Sequence, residues 1–332
     1  MKLAIVRQRY DPSGDAERFI ARSLPALERA GAQVTLITRH AEGWGARRVL
    51  RVDPFHVGKQ WSDRSFAQAA RQAWLREGFD LVQSHEPIPG CHVYRPGSEP
   101  HPQSLVQETI EHPRLRAVMC PSKRMRDDLR RAFRIAPEKL HVVYNGVDLE
   151  HFHPRERERL RGLARAELEC RPRDTVFLLT GSEGVEAAIQ ALAAAGNPAF
   201  WLAVVAPESG RRGSMPGNVR FLGPRADLRP LYAAADGVLA LRQDTSSDSA
   251  LEALAMGVPV IVSARSGAAE LIEPGVNGWV CDPQDVRGLA LCLAAADQAA
   301  AAGSITTAAR ASAERFGIEA MAQQITSLYA GL

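Results

Sequence analysis

Residues 243–260 read Gln243-Asp244-Thr245-Ser246-Ser247-Asp248-Ser249-Ala250-Leu251-Glu252-Ala253-Leu254-Ala255-Met256-Gly257-Val258-Pro259-Val260. The apolar run Val238–Leu241 before them is typical of a buried strand, and Val260 begins another such run. Gly257 and Pro259 end the Ala/Leu-rich segment between the two runs. The stretch therefore predicts a strand, a hydroxyl-rich loop, a helix and a second parallel strand, with the loop and helix N-terminus offering donors to an anion.

Two carboxylates bracket this loop. Asp244 follows the strand end, and Glu252 is expected about two turns into the helix. Carboxylates accept hydrogen bonds from sugar hydroxyls, whereas backbone amides bind phosphate. The pattern favours a site for a phosphorylated sugar. The alternative interpretation is a helix cap at Asp244 and a solvent-facing side chain at Glu252.

The same alternation of short apolar runs and longer Ala/Leu/Arg-rich stretches continues through the chain, which is typical of parallel strands joined by crossover helices. The predicted strands are Leu3–Val6, Val34–Thr38, Leu81–Ser84, Ala117–Cys120, Leu140–Val143, Val176–Thr180, Trp201–Val205, Val219–Leu222, Val238–Leu241, Val260–Ser263 and Trp279–Cys281. The predicted helices include Glu17–Arg29, Ala187–Ala195 and Ala250–Met256. The fold class is α/β, with two doubly wound domains facing a shared cleft.

The turn residues around Asn145–Pro154 indicate the join between the two domains. We expect an N-terminal domain at 1–148 and a C-terminal domain at 149–317. The final helix, Ile318–Leu328, has no strand after it. Residues 318–332 are therefore predicted to pack back on the N-terminal domain.

Composition excludes several classes of protein. The chain has 332 residues, 45% of them hydrophobic and 24% charged, which is ordinary globular usage. Forty-one Lys and Arg against 38 Asp and Glu give a net charge of +3, too small to indicate nucleic acid as the main partner. No apolar run is long enough for a membrane span or a signal peptide, so we expect a cytoplasmic protein that at most contacts the inner face of the inner membrane.

The five cysteines are far apart and form no C-x-x-C, which argues against disulfides and structural zinc and predicts buried thiols in a reducing compartment. The Arg-rich stretches Lys123–Arg134 and Arg155–Arg165 contain acidic residues at pairing distance. We therefore interpret both as solvated helix faces rather than anion-binding surfaces.

An ordered set of motifs resembles the retaining nucleotide-sugar glycosyltransferases of family four, which have the GT-B fold. The set comprises Tyr10-x-Pro12-x-Gly14, Val143-Tyr144-Asn145-Gly146-Val147-Asp148, Val219-x-Phe221-x-Gly223, Leu231–Asp236, the Asp244/Glu252 pair, Ala253–Val260 and Gly267-x-x-Glu270. The segment His85–Gly97 is most similar to bacterial lipopolysaccharide-core hexosyltransferases. The resemblance covers nearly the whole chain.

This resemblance implies a hexosyltransferase with a nucleotide diphosphate sugar as donor, a UDP-sugar being favoured, and a lipopolysaccharide-core, lipid-linked or other glycan as acceptor. It implies catalytic roles for Asp244 and His101, and a ribose-binding role for Glu252. The remaining donor-binding residues that it implies are Gly14, Gly181, Arg225, Thr245, Ser246, Ser247, Asp248, Ser249 and Gly267. No Asp-x-Asp occurs, so neither a metal nor another cofactor is expected.

The chain departs from the family at three places. Asp15 stands where a second glycine is usual, Gly181–Val185 lacks the phosphate-clamping base, and Thr245 and Ser246 replace an aromatic residue and a small one. Arg211, Arg212 and Arg265 are candidates for the missing cation. These departures leave open a catalytically weak or inactive relative that binds nucleotide sugar or glycan. An epimerase and a nicotinamide dehydrogenase are disfavoured, the latter because no G-x-G-x-x-G follows a strand.

The segment Gly97–Pro113 is shorter than in the resembled hexosyltransferases. It contains three Glu and no Lys or Arg. Because basic residues attract anionic lipid headgroups, this composition predicts weak membrane contact.

Overall fold

The chain forms two compact units in the computed structural model, which describes residues 1–12, 14–55, 58–97, 99–206, 216–225, 227–243, 247–303 and 305–332. Unit 1 comprises Met1–Gly146 and Ile318–Leu332, and unit 2 comprises Val147–Gly317. The α/β class predicted from the alternating pattern is confirmed in both units. All eleven predicted strands are present, with ends within one residue of the expected positions.

Unit 1 begins with nine strands and four helices. The strands are β1 (Lys2–Val6), β2 (Arg9–Tyr10), β3 (Gln33–Thr38), β4 (His40–Ala41), β5 (Arg48–Arg51), β6 (Leu81–Ser84), β7 (Val93–Tyr94), β8 (Ala117–Cys120) and β9 (Leu140–Val142). The helices are α1 (Asp15–Arg29), α2 (Lys59–Glu77), α3 (Gln103–Ile110) and α4 (Lys123–Ala132), with a 3-10 turn at Pro137–Lys139. Strands β2, β4, β5 and β7 and helices α2 and α3 were not predicted.

The main sheet of unit 1 is parallel, with strand order β5-β3-β1-β6-β7-β8-β9. Strand β1 lies between β3 and β6. The chain first adds strands on the β3 side of β1 and later adds strands on the β6 side. Such a switch point leaves a crevice at the carboxyl ends of the strands, where ligands of this fold class bind. The carboxyl ends concerned are Val6 and Ser84.

Alternation along β1 divides the core of unit 1 into two layers. Leu3 and Ile5 pack on one face of the sheet with Phe19 of α1. Ala4 and Val6 pack on the other face in a separate cluster. A parallel strand buried on both faces needs such a continuous apolar run.

Unit 2 holds a second parallel sheet. Its strands are β10 (Thr175–Thr180), β11 (Phe200–Val205), β12 (Val219–Phe221), β13 (Gly237–Ala240), β14 (Val260–Ser263) and β15 (Gly278–Cys281), in the order β12-β11-β10-β13-β14-β15. Its helices are α5 (Pro154–Glu167), α6 (Val185–Ala195), α7 (Arg229–Ala234), α8 (Asp248–Ala255), α9 (Val286–Ala302) and α10 (Ile305–Glu314), with a 3-10 helix at Gly267–Leu271. Strand β10 lies between β11 and β13, so the switch point of unit 2 is at the carboxyl end of β10.

The last helix, α11 (Ile318–Ala330), belongs to unit 1. Its residues Met321, Ile325 and Tyr329 join the apolar cluster formed by β1, β3 and α1. A Cβ on Gly146 would lie 2.8 Å from the Cα of Ile318, so only glycine permits this close approach. The predicted return of the chain to the first domain is seen in this packing.

The two Arg-rich helices differ. In α4, Asp127 and Asp128 pair with neighbouring arginines on the helix surface, as predicted. In α5 the prediction of a solvated face is wrong, because Arg161 and Arg165 point into unit 2. Both donate to carbonyl groups at the end of α7 and to the carboxylate of Asp236. Cations at a helix C-terminus are stabilised by its dipole and by its unpaired carbonyl groups, and Asp236 adds a counter-charge here.

All five cysteines are free. Three of them are buried as predicted, whereas Cys170 and Cys292 are half-buried. Among the described residues, no single helix has the length and apolar composition to cross a membrane; the bent pair 286–301 and 305–314 meets those two criteria only when taken together.

Candidate functional site

Two loops meet at the carboxyl ends of β10 and β13 in unit 2. Gly181 and Gly184 have φ angles of +96° and +82°, which favour glycine. A Cβ on Gly184 would lie 2.6 Å from the Cβ of Leu241, so the glycine lets the first loop pack against the second. Glu183 Oε1 also accepts a hydrogen bond from the backbone N–H of Gln243 at 3.0 Å. The loops that follow β10 and β13 are therefore packed directly against each other at the switch point of unit 2.

Arg242 brings a positive charge to this edge. Its Cδ lies 3.9 Å from the position that a Cβ of Gly181 would occupy. The predicted alternative Arg265 instead approaches Asp282, with 3.8 Å between Nη2 and Oδ2. Arg225 is exposed after β12. The other two proposed cations, Arg211 and Arg212, lie outside the described residues.

Glu252 is buried in α8, with only 4% of the residue exposed. Its Oε2 accepts a hydrogen bond from the Tyr232 hydroxyl at 3.1 Å. The helix begins at Asp248, so Glu252 lies about one turn inside it rather than the expected two. The alternative of a solvent-facing Glu252 is therefore wrong, because the side chain is buried and bonded to Tyr232.

Ser247 and Asp248 are buried at the start of α8, and Ser249 is half-buried. The first amide groups of a helix have no partner within the helix and point out from its N-terminus. Asp244, Thr245 and Ser246 lie outside the described residues. Their predicted roles stay predictions.

Gly267 lies after the neighbouring strand β14. It is buried and opens the 3-10 helix there. Ser266 caps this short helix, because its Oγ accepts a hydrogen bond from the N–H of Ala268 at 2.9 Å. The predicted strand–loop–helix element is confirmed, although its helix is a single 3-10 segment.

Unit 1 carries a buried charge cluster around Arg7, which follows β1. Arg7 Nε lies 2.5 Å from Glu17 Oε1, Nη1 lies 3.1 Å from Glu86 Oε1, and Nη2 lies 2.5 Å from Glu99 Oε1. Burial by itself lowers the pKa of Arg7, but the attraction of these carboxylates outweighs it and the pKa is raised. Arg7 is thus held as a permanent cation among three acids.

His101 lies in the same cluster. Its Nε2 is 3.4 Å from Glu86 Oε2, and its Nδ1 is 3.5 Å from Asp63 Oδ2. Glu86 also accepts a hydrogen bond from the N–H of Gln8 at 2.8 Å. Burial raises the pKa of Glu86, although Arg7 opposes this shift. The structure therefore places the predicted catalytic histidine between two carboxyl groups.

This cluster forms part of the lining of a cavity of about 720 Å³. Its lining includes Arg7, Glu17, Asp63 and Glu86. Gly14, at the start of α1, lines it as well. Of the predicted site residues, Gly14 therefore lines a cavity at the switch point of unit 1, and His101 contacts two residues of its lining, Glu86 and Asp63.

The position of the Glu17 side chain leaves room only for glycine at residue 14. A Cβ on Gly14 would lie 2.0 Å from Glu17 Oε2, so any larger residue would displace the carboxylate. Asp15, which replaces the second family glycine, pairs with Arg18 one turn later at 2.5 Å. The charge of Asp15 is therefore partly compensated on α1 itself.

Glu86, Glu99 and His101 offer three ligand atoms within 4.8 Å of one another, a spacing that could hold a metal ion. Arg7 already contacts both of these carboxylates. A divalent ion there would therefore be repelled by a neighbouring guanidinium.

A polar network lies beneath the cluster. Tyr329 of α11 donates to Gln83 Oε1, and Gln83 Nε2 is 2.7 Å from His85 Nε2. Complete burial lowers the pKa of His85 well below its usual value, and Arg95 and Arg7 add to the effect. The residue next to Glu86 is therefore a neutral imidazole.

Sequence reasoning missed Arg7, Glu17, Asp63, Glu86 and Glu99 as a group. One signal was available. Arg7 directly follows the buried run Leu3–Val6, and a charged residue at such a position indicates nearby groups of opposite charge. The other members come from α1, α2 and loops distant in sequence. Their meeting follows from the sheet order.

Two family models match the chain. The model described as Glycosyltransferase Family 4 matches residues 16–151, and the model described as Glycosyl transferases group 1 matches residues 157–296. The chain belongs to these glycosyltransferase families. The two matches correspond to most of unit 1 and unit 2 of this glycosyltransferase-family protein.

Solved structures confirm the GT-B fold. WaaG, described as a glycosyltransferase involved in lipopolysaccharide biosynthesis, aligns with a TM-score of 0.83 and 20% identity, covering 99% of this chain and 100% of WaaG. Anabaena Alr3699/HepE in complex with UDP-glucose aligns with a TM-score of 0.79 and 21% identity, covering both chains completely.

A curated relative, D-inositol 3-phosphate glycosyltransferase of Mycobacterium sp. (strain KMS), is 34% identical over 168 residues. The match covers 45% of this glycosyltransferase-family chain and 37% of the relative. The chain therefore matches less than half of the length of this curated relative.

Proposed function

We propose that the protein transfers a hexose from a nucleotide diphosphate sugar, a UDP-sugar being favoured, to a lipopolysaccharide-core or other glycan acceptor with retention of configuration. The observation that carries the proposal is the buried Glu252 just inside α8. A buried carboxylate beside a helix N-terminus suits a ligand that combines hydroxyls with phosphates. Structural neighbours include a protein bound to UDP-glucose and one involved in lipopolysaccharide biosynthesis.

In this proposal unit 2 binds the donor. Glu252 accepts from the ribose hydroxyls, Asp244 accepts from the sugar hydroxyls, and the amides of 245–249 bind the diphosphate. Gly181 and Gly267 let the backbone approach the donor, and Arg225 packs on the base. Arg242 adds a cation beside the Gly181 loop, a position that would stabilise the negative charge of the departing diphosphate.

Unit 1 binds the acceptor in its cavity, with Gly14 at the rim and His101 beside the reacting hydroxyl. Catalysis then consists of positioning and charge stabilisation, and the departing phosphate oxygen takes the proton of the acceptor hydroxyl. No metal takes part in this proposal, because the helix N-terminus and Arg242 supply the charge. Contact with a membrane is at most weak and peripheral.

The test measures release of UDP or GDP from a panel of nucleotide sugars, with and without a glycan acceptor, in EDTA and in magnesium. Acceptor-stimulated release that is equal in both conditions, with the same anomeric configuration in product and donor, supports the proposal. Asp244→Ala should spare binding of free UDP and weaken binding of the UDP-sugar. Release that depends on magnesium, or an inverted product, would contradict it.

The alternative is a weakly active relative that binds nucleotide sugar without transferring it. Glu183, an acid in the loop where the family has a base, favours this alternative. Binding of nucleotide sugar with no acceptor-stimulated release would establish it.

A further inference from the structure

Two cysteines of unit 2 meet in the folded chain, although ten residues separate them in sequence. Cys281 is the last residue of β15, and Cys292 lies in the second turn of α9. Asp285 caps the start of α9, because its Oδ1 accepts a hydrogen bond from the N–H of Gly288 at 2.9 Å. The chain therefore turns soon after β15, and α9 packs against the strand that it follows.

This packing brings the two thiol groups together. Cys281 is 7% exposed and belongs to the apolar core of unit 2, with Leu289 and Leu293 of α9. Cys292 packs against the same core and is half-buried. The two thiols share a hydrogen bond. The more exposed cysteine of the pair is therefore in direct contact with the more buried one.

The shared hydrogen bond makes the two thiols chemically different. It raises the pKa of Cys281, and burial raises that pKa further. The same bond lowers the pKa of Cys292, against the opposing effect of burial. Cys292 therefore loses its proton first, and the Cys281 thiol donates to the resulting thiolate. A partly exposed thiolate beside a second cysteine is typical of sites that peroxides oxidise reversibly.

We propose that Cys281 and Cys292 form a reversible oxidation site, at which hydrogen peroxide converts the two thiols into an intramolecular disulfide. The Cys292 thiolate attacks one peroxide oxygen, the O–O bond breaks and hydroxide leaves, so Cys292 becomes a sulfenic acid. The Cys281 sulfur then attacks the Cys292 sulfur, the S–O bond breaks, and the departing hydroxide takes the Cys281 proton. In sum, two thiols lose two electrons and two protons, and the peroxide is reduced to two molecules of water.

The neighbouring thiol decides the fate of the oxidised Cys292. A sulfenic acid that finds no thiol is oxidised further to a sulfinic acid, which ordinary thiols do not reduce. Capture by Cys281 stops the oxidation at the disulfide, which a dithiol reduces by exchange. The inference is independent of the proposed function, because neither cysteine is assigned to the donor or the acceptor.

The first experiment uses the unmodified full chain. The reduced protein is treated with hydrogen peroxide, denatured, alkylated and digested with trypsin, which cleaves after Arg287 between the two cysteines. Two of the five free thiols should escape alkylation, and two peptides should be joined through Cys281 and Cys292. Dithiothreitol should restore both thiols. Five remaining thiols, a disulfide between other cysteines, or sulfinic acid at Cys292 in place of the disulfide would overturn the inference.

The second experiment uses serine variants, with Cys170→Ser as the matched control. Cys170 is half-buried like Cys292, but burial raises its pKa. Cys170→Ser should leave disulfide formation unchanged. In Cys281→Ser, Cys292 should be oxidised to the sulfinic acid at peroxide doses that leave the unmodified chain reducible by dithiothreitol.

The variant Cys292→Ser tests the order of the two steps. Cys281 should remain a thiol in this variant, because it is the more buried residue and keeps its proton. Oxidation of Cys281 in Cys292→Ser, or an unoxidised Cys292 in Cys281→Ser, would contradict the assigned roles. If a variant fails to fold, the peptide map of the unmodified chain still decides whether the disulfide forms.

Discussion

The hydroxyl of Tyr232 donates a hydrogen bond to Glu252 Oε2 at 3.1 Å inside unit 2. Tyr232 lies on α7 and is completely buried, and Glu252 lies on α8. The bond therefore fixes the carboxylate from a neighbouring helix. A side chain held in this way keeps one orientation before a ligand arrives, which lowers the entropy cost of binding.

Replacing Glu252 should weaken nucleotide binding. Glu252→Gln keeps the shape but loses the charge, and affinity for free UDP or GDP should fall by about 1–3 kcal/mol. Tyr232→Phe should cause a smaller loss, because it frees the carboxylate without removing it. Calorimetric titration measures both, with the exposed Glu167→Gln as control. Unchanged affinity in Glu252→Gln would exclude a direct contact with the nucleotide.

Replacing His101 should impair transfer more than donor binding. We expect His101→Ala to lower the turnover rate by roughly 10²-fold, because the acceptor hydroxyl loses a partner that orients it, and to leave UDP affinity unchanged. Asp63 contacts His101 and also lines the cavity, and Asp63→Asn keeps the imidazole in place, so its effect on turnover should be smaller. His141→Ala on β9 is the control. Equal turnover in His101→Ala and His141→Ala would refute the catalytic role.

Buried His85 should make unit 1 less stable in acid. Its pKa is lowered in the folded state, so below about pH 6.5 the unfolded chain binds a proton that the folded chain does not. Stability contributed by His85 is therefore present above that pH and is lost as the pH falls, by up to about 1.4 kcal/mol per pH unit. Urea unfolding across this range should show a shallower pH dependence in His85→Gln. An identical slope in both proteins would contradict the prediction.

The buried acid Asp236 should hold unit 2 together. Its carboxylate accepts from Arg161, Arg165 and the N–H of Val176 at 2.5, 3.0 and 2.9 Å. Asp236→Asn leaves the arginines without a counter-charge and should destabilise unit 2 by about 3 kcal/mol. Thermal unfolding measures the loss. The surface pair Asp227–Arg229 provides the comparison, where Asp227→Asn should cost less than about 1 kcal/mol.

Sequence patterns predicted the main strands because each is a short apolar run between turn residues. Strands such as β5 (Arg48–Arg51) and β7 (Val93–Tyr94) escaped prediction for a physical reason. They are short, and β5 carries arginine at both ends, so pairing with a neighbouring strand, rather than local preference, makes them extended.

The candidate donor site was predictable because its carboxylate, loop and helix are contiguous in sequence. The cluster around Arg7 was not, since its acids come from α1, α2 and two loops. Their interaction depends on the position of β1 between β3 and β6, which a single sequence does not reveal. The burial of Glu252 also escaped prediction. The sequence shows how far Glu252 lies from Asp244, but its contact with Tyr232 is visible only in the folded structure.

The return of α11 to unit 1 has a consequence for the order of synthesis. Residues 147–317 are contiguous, so unit 2 can fold as soon as they leave the ribosome. Residues 1–146 of unit 1 are translated before unit 2 but lack Met321, Ile325 and Tyr329 until α11 emerges. The apolar face of unit 1 beside α1 therefore stays open during the translation of the whole intervening unit. Of the two units, the one whose synthesis starts first is therefore completed second, and in that interval it is the more exposed to chaperones and to aggregation.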